Sequence, residues 1–551
     1  MIGVISKTNE EEAVQEFFEL FKTPWEFYKE NKTYDVVLIT GDPQFQIETK
    51  LLIIYGSEEN AFDRRNKLKP VRAKNASLLQ YGELSFPIYG NVSAFREHER
   101  AILRTTEMDN VVAVLFHTNH HKVIRVGFDL FQEVEYLLRH GQSSSYAQVP
   151  TLDIHIAMIR DWIVGSSIPI VEIPSQPAGF EFAVCLTHDI DFLRISNHKF
   201  DHTMFGFLYR ALFRSFGNFL KGNLSLLKLL KNWSAVCLLP GVYLGIVKDY
   251  FFQFDKYLEV EKDLVSTFFL LPFKNRPGTD NHGQIHRARA ARYDINDIEP
   301  EIKKLMSAGR EIALHGIDAW RDPAKGREEL QRITQITGNN SVGTRSHWLY
   351  QCDRSPQYLE EAGFVYDSSV GYNDTIGYRS GTTQIFRPFR VTKLLELPLH
   401  IMDTALFYTG RMALAEPQAM ALVEGMIVKT QRFGGVLTIN WHDRSMGPER
   451  LWDTFYENIL TRLKSMKVWF ATVFQAVSWF NARRSVSFHE VRLCDNGLKV
   501  RLSSSGSDSP QLLLRVHVPE DRGKETDDLL TARGRIVDIA FSGDLAISIP
   551  L

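Results

Sequence analysis

The chain has 551 residues, enough for about three domains at ~150 residues each, and its 44% hydrophobic and 24% charged content is ordinary for a globular protein. A formal net charge of -2 leaves no global field to draw in nucleic acid, and four scattered cysteines (Cys185, Cys237, Cys352, Cys494) with no CxxC pair exclude a disulfide scaffold or a cysteine zinc site. The acidic segment Met1 to Glu12 does not read as a secretory signal and no uncharged apolar run reaches the ~18 to 20 residues of a membrane span, so the expected location is cytoplasmic.

Residues 1–150 mix strand and helix patterns. Buried-strand candidates are Asp35–Thr40, Leu51–Gly56, Val111–Phe116 and Val123–Phe128. They predict a separate α/β domain, with no nucleophile or phosphate loop to give it a role. His117, His120 and His121 fall between the last two strands and fit a polar hairpin loop better than a metal cluster.

From 180 to 482 the pattern becomes regular. Apolar strands are predicted over 182–187, 265–271, 311–315, 341–345, 364–367, 394–399, 435–440 and 467–472. Amphipathic helices between them include Ile298–Ala308, Arg327–Ile336, Pro356–Ala362, Pro417–Arg432 and Glu449–Lys464. Strands alternating with helices predict a deformed (β/α) barrel.

An insertion, 202–248, interrupts the barrel. It has no acidic residue between Asp201 and Asp249, and Arg210, Arg214, Lys221, Lys228 and Lys231 punctuate a Phe- and Leu-rich sequence. Such a basic amphipathic segment can rest on an anionic membrane surface, here through 202–233, or pack on the barrel and expose its lysines. After residue 484 short alternating stretches (Ser487–Leu493, Leu498–Ser503, Gln511–Val518, Gly534–Ala540, Leu545–Ile549) predict a small all-β domain to residue 551.

The chemistry gathers at the strand ends of the barrel region. The first strand, Phe182–Leu186, runs into Thr187-His188-Asp189-Ile190-Asp191. Residues two apart on extended chain point the same way, so Asp189 and Asp191 share one small volume. Two carboxylates that close repel unless a cation lies between them or one is protonated. Later strands lead to His315 and Asp318, to Arg345 and His347, to Asp367, to His400 and Asp403, and to His442 and Asp443. In (β/α) barrels these ends converge on one mouth, where active sites lie. Carboxylate and imidazole without thiolate suit one divalent ion, Zn, Fe, Co, Ni or Mn. Such an ion can acidify water while a nearby carboxylate acts as base and a histidine as acid.

Three of these stretches carry a family resemblance. Leu186–Asp191 resembles the first motif of the polysaccharide deacetylase (NodB-homology) family, Arg310–Gly316 its second and Leu437–His442 its last; Gly363–Ser369 with Tyr372-Asn373-Asp374 is similar to family sequence between them. The resemblance spans 180–480 and leaves the flanking domains uncovered. It implies a deformed barrel and metal-dependent hydrolysis of an N-acyl or O-acyl group on a carbohydrate. On that pattern Asp189 is the base that takes a proton from the attacking water. Asp191 and His315 are metal ligands, Arg345 orients the base, and His442 is the acid for the leaving group. The family's further ligand, four residues after the first histidine, corresponds here to Ala319; Asp318 and His400 are then the residues offered as third ligand. The departure at Ala319 also leaves open a degenerate barrel that binds glycan without hydrolysis, and the motifs alone allow a hydrolase of a non-sugar amide.

Overall fold

The computed structural model describes residues 1–550 apart from 42–46, 74–77, 97–99, 108, 119–120, 223, 495–496, 507–509 and 520–533. The chain divides into two compact units, Phe180–Gly377 with Arg390–Val477, and Met1–Gly179 with Tyr378–Phe389 and Ser478–Leu551.

The first of these carries an open parallel barrel. Its strands are β1 (Phe182–Ile190), β2 (Thr267–Leu270), β3 (Glu311–Gly316), β4 (Thr344–Ser346), β5 (Tyr366–Asp367), β6 (Leu395–Glu396), β7 (Ile401–Met402), β8 (Val436–Asn440) and β9 (Val468–Phe470). Spatial order is β6-β5-β4-β3-β2-β1-β8-β7, and β9 pairs with β1. Every described pairing is parallel. The deformed (β/α) barrel predicted from sequence is therefore the fold of this unit. All nine residues of β1 are buried, which explains its continuous apolar run, since a parallel sheet covered on both faces has no polar side.

The helices follow the sequence pattern because their ends are punctuated. In Pro323–Thr337, Asp322 accepts from the Ala324 and Lys325 amides, Pro323 opens the first turn, and Gly338 ends it at φ 68°. The stretch assigned to 394–399 forms only the two-residue β6, and β7 lies beyond it, where the sequence predicted no strand. The inserted segment forms helix His202–Tyr209, a π-helical turn Arg210–Arg214, helix Ser215–Leu220 and helix Leu226–Tyr243. It has its own core, built on Phe207, Ala211, Ala235, Leu239 and Val242.

The other unit holds a nine-stranded sheet. Trp25–Phe27, Ile2–Ile5, Val36–Ile39, Leu51–Tyr55 and Lys122–Val126 run parallel. Val111–His117, Ala101–Thr105, Leu78–Tyr81 and Leu84–Pro87 extend it antiparallel. Val111–His117 and Lys122–Val126 make the expected hairpin; His120 lies outside the described residues. The C-terminal strands form where sequence alternation places them, in two three-stranded sheets. One includes Ile170–Glu172, paired with Leu512–Val518, so the N- and C-terminal segments, read separately from sequence, lie in one unit.

Candidate active site

Alternation along β1 sorts its polar residues. His188 turns to one face, where it is fully buried with Nε2 2.7 Å from Glu261 Oε1 and Nδ1 3.0 Å from the Trp441 carbonyl. Asp189 and Asp191 turn to the other, into a cavity of 230 Å³ lined also by His315, His347 and His442.

Asp189 is locked. Arg345 Nη1 donates to its Oδ1 at 2.9 Å and Asn440 Nδ2 to its Oδ2 at 2.8 Å. Arg345 is itself fully buried. Nη1 also donates to Thr187 Oγ1, Nε and Nη2 donate to the carbonyl and hydroxyl of Ser368, and the guanidinium lies 4.2 Å from the centre of the Phe269 ring. Burial alone would raise the Asp189 pKa, but the Arg345 guanidinium above all holds the carboxyl below its ordinary value.

Asp191, His315 and His347 form a trio. Asp191 Oδ1 lies 3.3 Å from both His315 Nε2 and His347 Nδ1, and those nitrogens are 2.9 Å apart. Donors around a zinc ion at ~2.1 Å stand ~3.4 Å from one another in tetrahedral geometry, close to the spacing of this set, so it fits a single ion. Two further observations agree. Asp191 Oδ1 is buried with no hydrogen-bond partner among the described residues. His315 Nδ1 donates to the Arg345 carbonyl at 2.8 Å, which orients the ring and turns Nε2 toward the other two donors. Burial pulls the His347 pKa down to about 4, keeping that imidazole neutral as a ligand must be.

His442 stands across the cavity, its Nε2 3.9 Å from Asp191 Oδ2. Its Nδ1 donates to Asp403 Oδ1 at 2.6 Å, and its backbone amide donates to the other oxygen of the same buried carboxylate at 2.7 Å. Burial disfavours the imidazolium, yet Asp403 overrides it and raises the His442 pKa to about 9. With Nδ1 bound to Asp403, Nε2 is the nitrogen that faces Asp191 across the cavity.

The sequence-nominated residues Asp189, Asp191, His315, Arg345 and His442 therefore come together at one mouth. Asp318 and His400 do not. Asp318 accepts from the Thr279 amide and pairs with Lys325 at 2.9 Å. His400 Nδ1 accepts from the Thr438 amide at 3.2 Å. His347 stands in the place for which they were offered. Ala319 is fully buried, and a Cβ placed on Gly326 of the following helix would meet it at an ordinary contact distance of 3.5 Å. His347, Asp403 and Asn440 were not assigned roles from sequence. The signal for His347 was present: it follows Arg345 by two, the same spacing that joins Asp189 to Asp191. Trp348 and Leu349, at φ 65° and 55°, turn the chain sharply just after it, a conformation costly for such side chains and frequent at functional sites.

Compared with known proteins, the sequence matches no family model and no curated protein. Among solved structures it is similar to a putative polysaccharide deacetylase from Mycobacterium smegmatis, with 18% identity, TM-score 0.35, and coverage of 57% of this chain and 96% of the other. It is similar to the allantoinase Puue, with 16% identity, TM-score 0.33, and coverage of 56% and 93%. It is also similar to a CE4 family pseudoenzyme from Bacillus anthracis, with 13% identity, TM-score 0.25, and coverage of 55% and 66%.

Proposed function

We propose that this protein is a metal-dependent hydrolase that removes an acyl group, N-acetyl first, from a carbohydrate. The observation that carries the reading is the juxtaposition of the Asp191–His315–His347 trio with the Arg345-bound Asp189 on one side and the Asp403-bound His442 on the other. A divalent ion in the trio, zinc by its donor set, would polarise the acyl carbonyl and acidify water. Asp189, ionised and fixed by Arg345 and Asn440, accepts the proton of the attacking water. His442 holds a proton on Nε2 and delivers it to the departing amine, while Asp403 steadies the opposite nitrogen. The third donor at His347 supports hydrolysis over a barrel that only binds glycan.

The test is acetate release from N-acetylated sugars by the metal-loaded protein. Asp189→Asn and His442→Ala are each expected to abolish it while far-UV circular dichroism and metal content stay unchanged. Retained turnover in both variants would sink the assignment. Turnover restricted to linear or cyclic amides in the same screen would move the substrate away from sugars.

We further propose that the insertion rests on an anionic membrane surface. Phe205, Tyr209, Phe213, Phe216 and Leu220 recur at helical spacing along 202–220 and are exposed. Arg214, Lys221 and Lys231 accompany them with no acidic residue nearby in sequence. Among the described residues no helix is long and apolar enough to cross a membrane, so the contact is peripheral. Co-sedimentation with phosphatidylglycerol vesicles should be lost in a Phe205→Ser, Phe213→Ser, Leu220→Ser variant. Equal sedimentation of the variant and the parent would refute the contact.

A further inference from the structure

Beside the metal trio lies a second group of ionisable side chains that the reaction above does not use. Glu449, with no exposed side-chain surface, takes up three guanidiniums on one oxygen. Arg444 Nη2 is 2.7 Å, Arg210 Nη2 3.2 Å and Arg450 Nε 3.9 Å from Glu449 Oε1. The side chains of Arg444 and Arg450 are only 7% and 6% exposed. Glu449 Oε2, Arg210 Nε and Arg450 Nε have no hydrogen-bond partner among the described residues. Among the described residues Glu449 is the carboxylate within salt-bridge distance of all three guanidiniums, and Asp403 adds only a through-space charge on Arg450. Asp403 serves His442, and Asp443 accepts from the backbone amides of Phe192 and Leu193.

Buried like charges that outnumber their counter-charge are costly, since desolvation and mutual repulsion add. A cavity adjoins them. It has a volume of 100 Å³ and is lined by Arg210, Arg214, Asn218, Asn232, Glu449 and Arg450. A water needs only ~10–15 Å³ of such space, so the cavity has room for a tetrahedral oxyanion. Arg450 and Tyr408 line both this cavity and the one that holds the trio. An anion here would therefore sit next to the reacting centre, on the side formed by the insertion.

We infer that this cavity is a phosphate subsite: Arg210, Arg214 and Arg450 grip a phosphate group carried by the substrate, so that the protein acts on a phosphate-bearing sugar. The arginine fork suits phosphate, to which it donates in pairs. A doubly charged group also answers the excess of guanidiniums better than a carboxylate would. Binding of phosphate here does not depend on the hydrolytic reading; its identity as part of the substrate does.

The experiment is calorimetric titration of the metal-loaded, full-length protein with inorganic phosphate, then with a sugar 1-phosphate. Saturable binding is expected, with affinity falling at least tenfold in Arg210→Gln/Arg214→Gln and largely retained in the corresponding double lysine variant. Arg214→Gln alone, at a half-buried position, keeps the test open should the double variant unfold. Binding that persists in Asp189→Asn separates this subsite from any failure of the hydrolytic assignment. Vesicles containing phosphatidic acid distinguish the source. Displacement of phosphate by them, dependent on Arg210 and Arg214, identifies a lipid-linked phosphate, and no displacement identifies a soluble sugar phosphate. No saturable phosphate binding by the parent protein would overturn the inference. So would equal binding by the parent and the glutamine variants, or loss of binding on chelation alone, which would place phosphate on the metal.

Discussion

Replacing His347 by alanine tests where the third metal donor lies. Its Nδ1 is 2.9 Å from His315 Nε2 and 3.3 Å from Asp191 Oδ1, the spacing of neighbouring donors around one ion. Changing a residue that merely orients a ligand weakens metal binding about 10–100-fold, or roughly 1.4–2.7 kcal/mol at ~1.36 kcal/mol per decade. Removing a donor should exceed the upper end, so His347→Ala is expected to bind zinc at least ~100-fold more weakly than the parent. Asp318→Ala and His400→Ala should bind zinc as the parent does, because those side chains are committed to Lys325 and to the Thr438 amide. Competition with a chromophoric chelator gives the affinities, and elemental analysis of the purified proteins gives the stoichiometry. Parent-like zinc affinity in His347→Ala, or loss of zinc in Asp318→Ala, would refute the trio.

Other consequences can be measured on stability. Arg345→Met strands the buried Asp189 carboxylate and should cost about 3–5 kcal/mol; adding Asp189→Asn should restore part of the lost thermal midpoint, and a further fall on adding it would contradict the ion pair. Gly343→Ala would place a methyl 2.0 Å from the Tyr366 ring, whose hydroxyl is anchored to Glu311, so a loss of about 1–3 kcal/mol or more is expected; a variant as stable as the parent would exclude that packing. His155 is fully buried against Phe86 and Phe128, and burial pulls its pKa down to about 3 from 6.5. Its folded value lies below its unfolded one, so its contribution is complete above pH ~6.5 and is lost as pH falls toward ~3. Near pH 5 the loss amounts to about 2 kcal/mol. His155→Leu should therefore flatten the fall in stability between pH 7 and pH 5, and an unchanged slope would count against it.

Much of the barrel was legible because two periodicities survive in its sequence. The uninterrupted apolar runs at 182–187 and 435–440 announce strands covered on both faces. The capped amphipathic helices between strands fall within a few residues of prediction, as Pro417–Arg432 does against Glu416–Phe433. The eight-residue stretch from Leu395 to Met402, just before Asp403, was harder. Leu395–Glu396 and Ile401–Met402 lie at opposite edges of the open sheet, and nothing in their composition distinguishes one strand from two. The site was legible where chemistry and spacing coincide, at Asp189, Asp191, His315, Arg345 and His442. It was not legible at His347, because the family pattern directs attention to position 319, where this chain carries alanine. Asp403 and Asn440 became meaningful only through distances to His442 and Asp189 that no local pattern encodes.

The alternation along β1 also limits how this segment can change over evolutionary time. His188 meets Glu261 on one face, while Asp189 meets Arg345 and Asp191 meets His315 and His347 on the other. Inserting or deleting a single residue between Phe182 and Thr187 would exchange the two faces beyond it. Asp189 would then be driven against Glu261, and His188 would enter the mouth in its place. Length changes in this strand are therefore tolerable only in pairs, whereas the connections after β1 accept an insertion as long as 202–248. The strand has a reading frame of its own, and drift in this chain must accumulate in its loops.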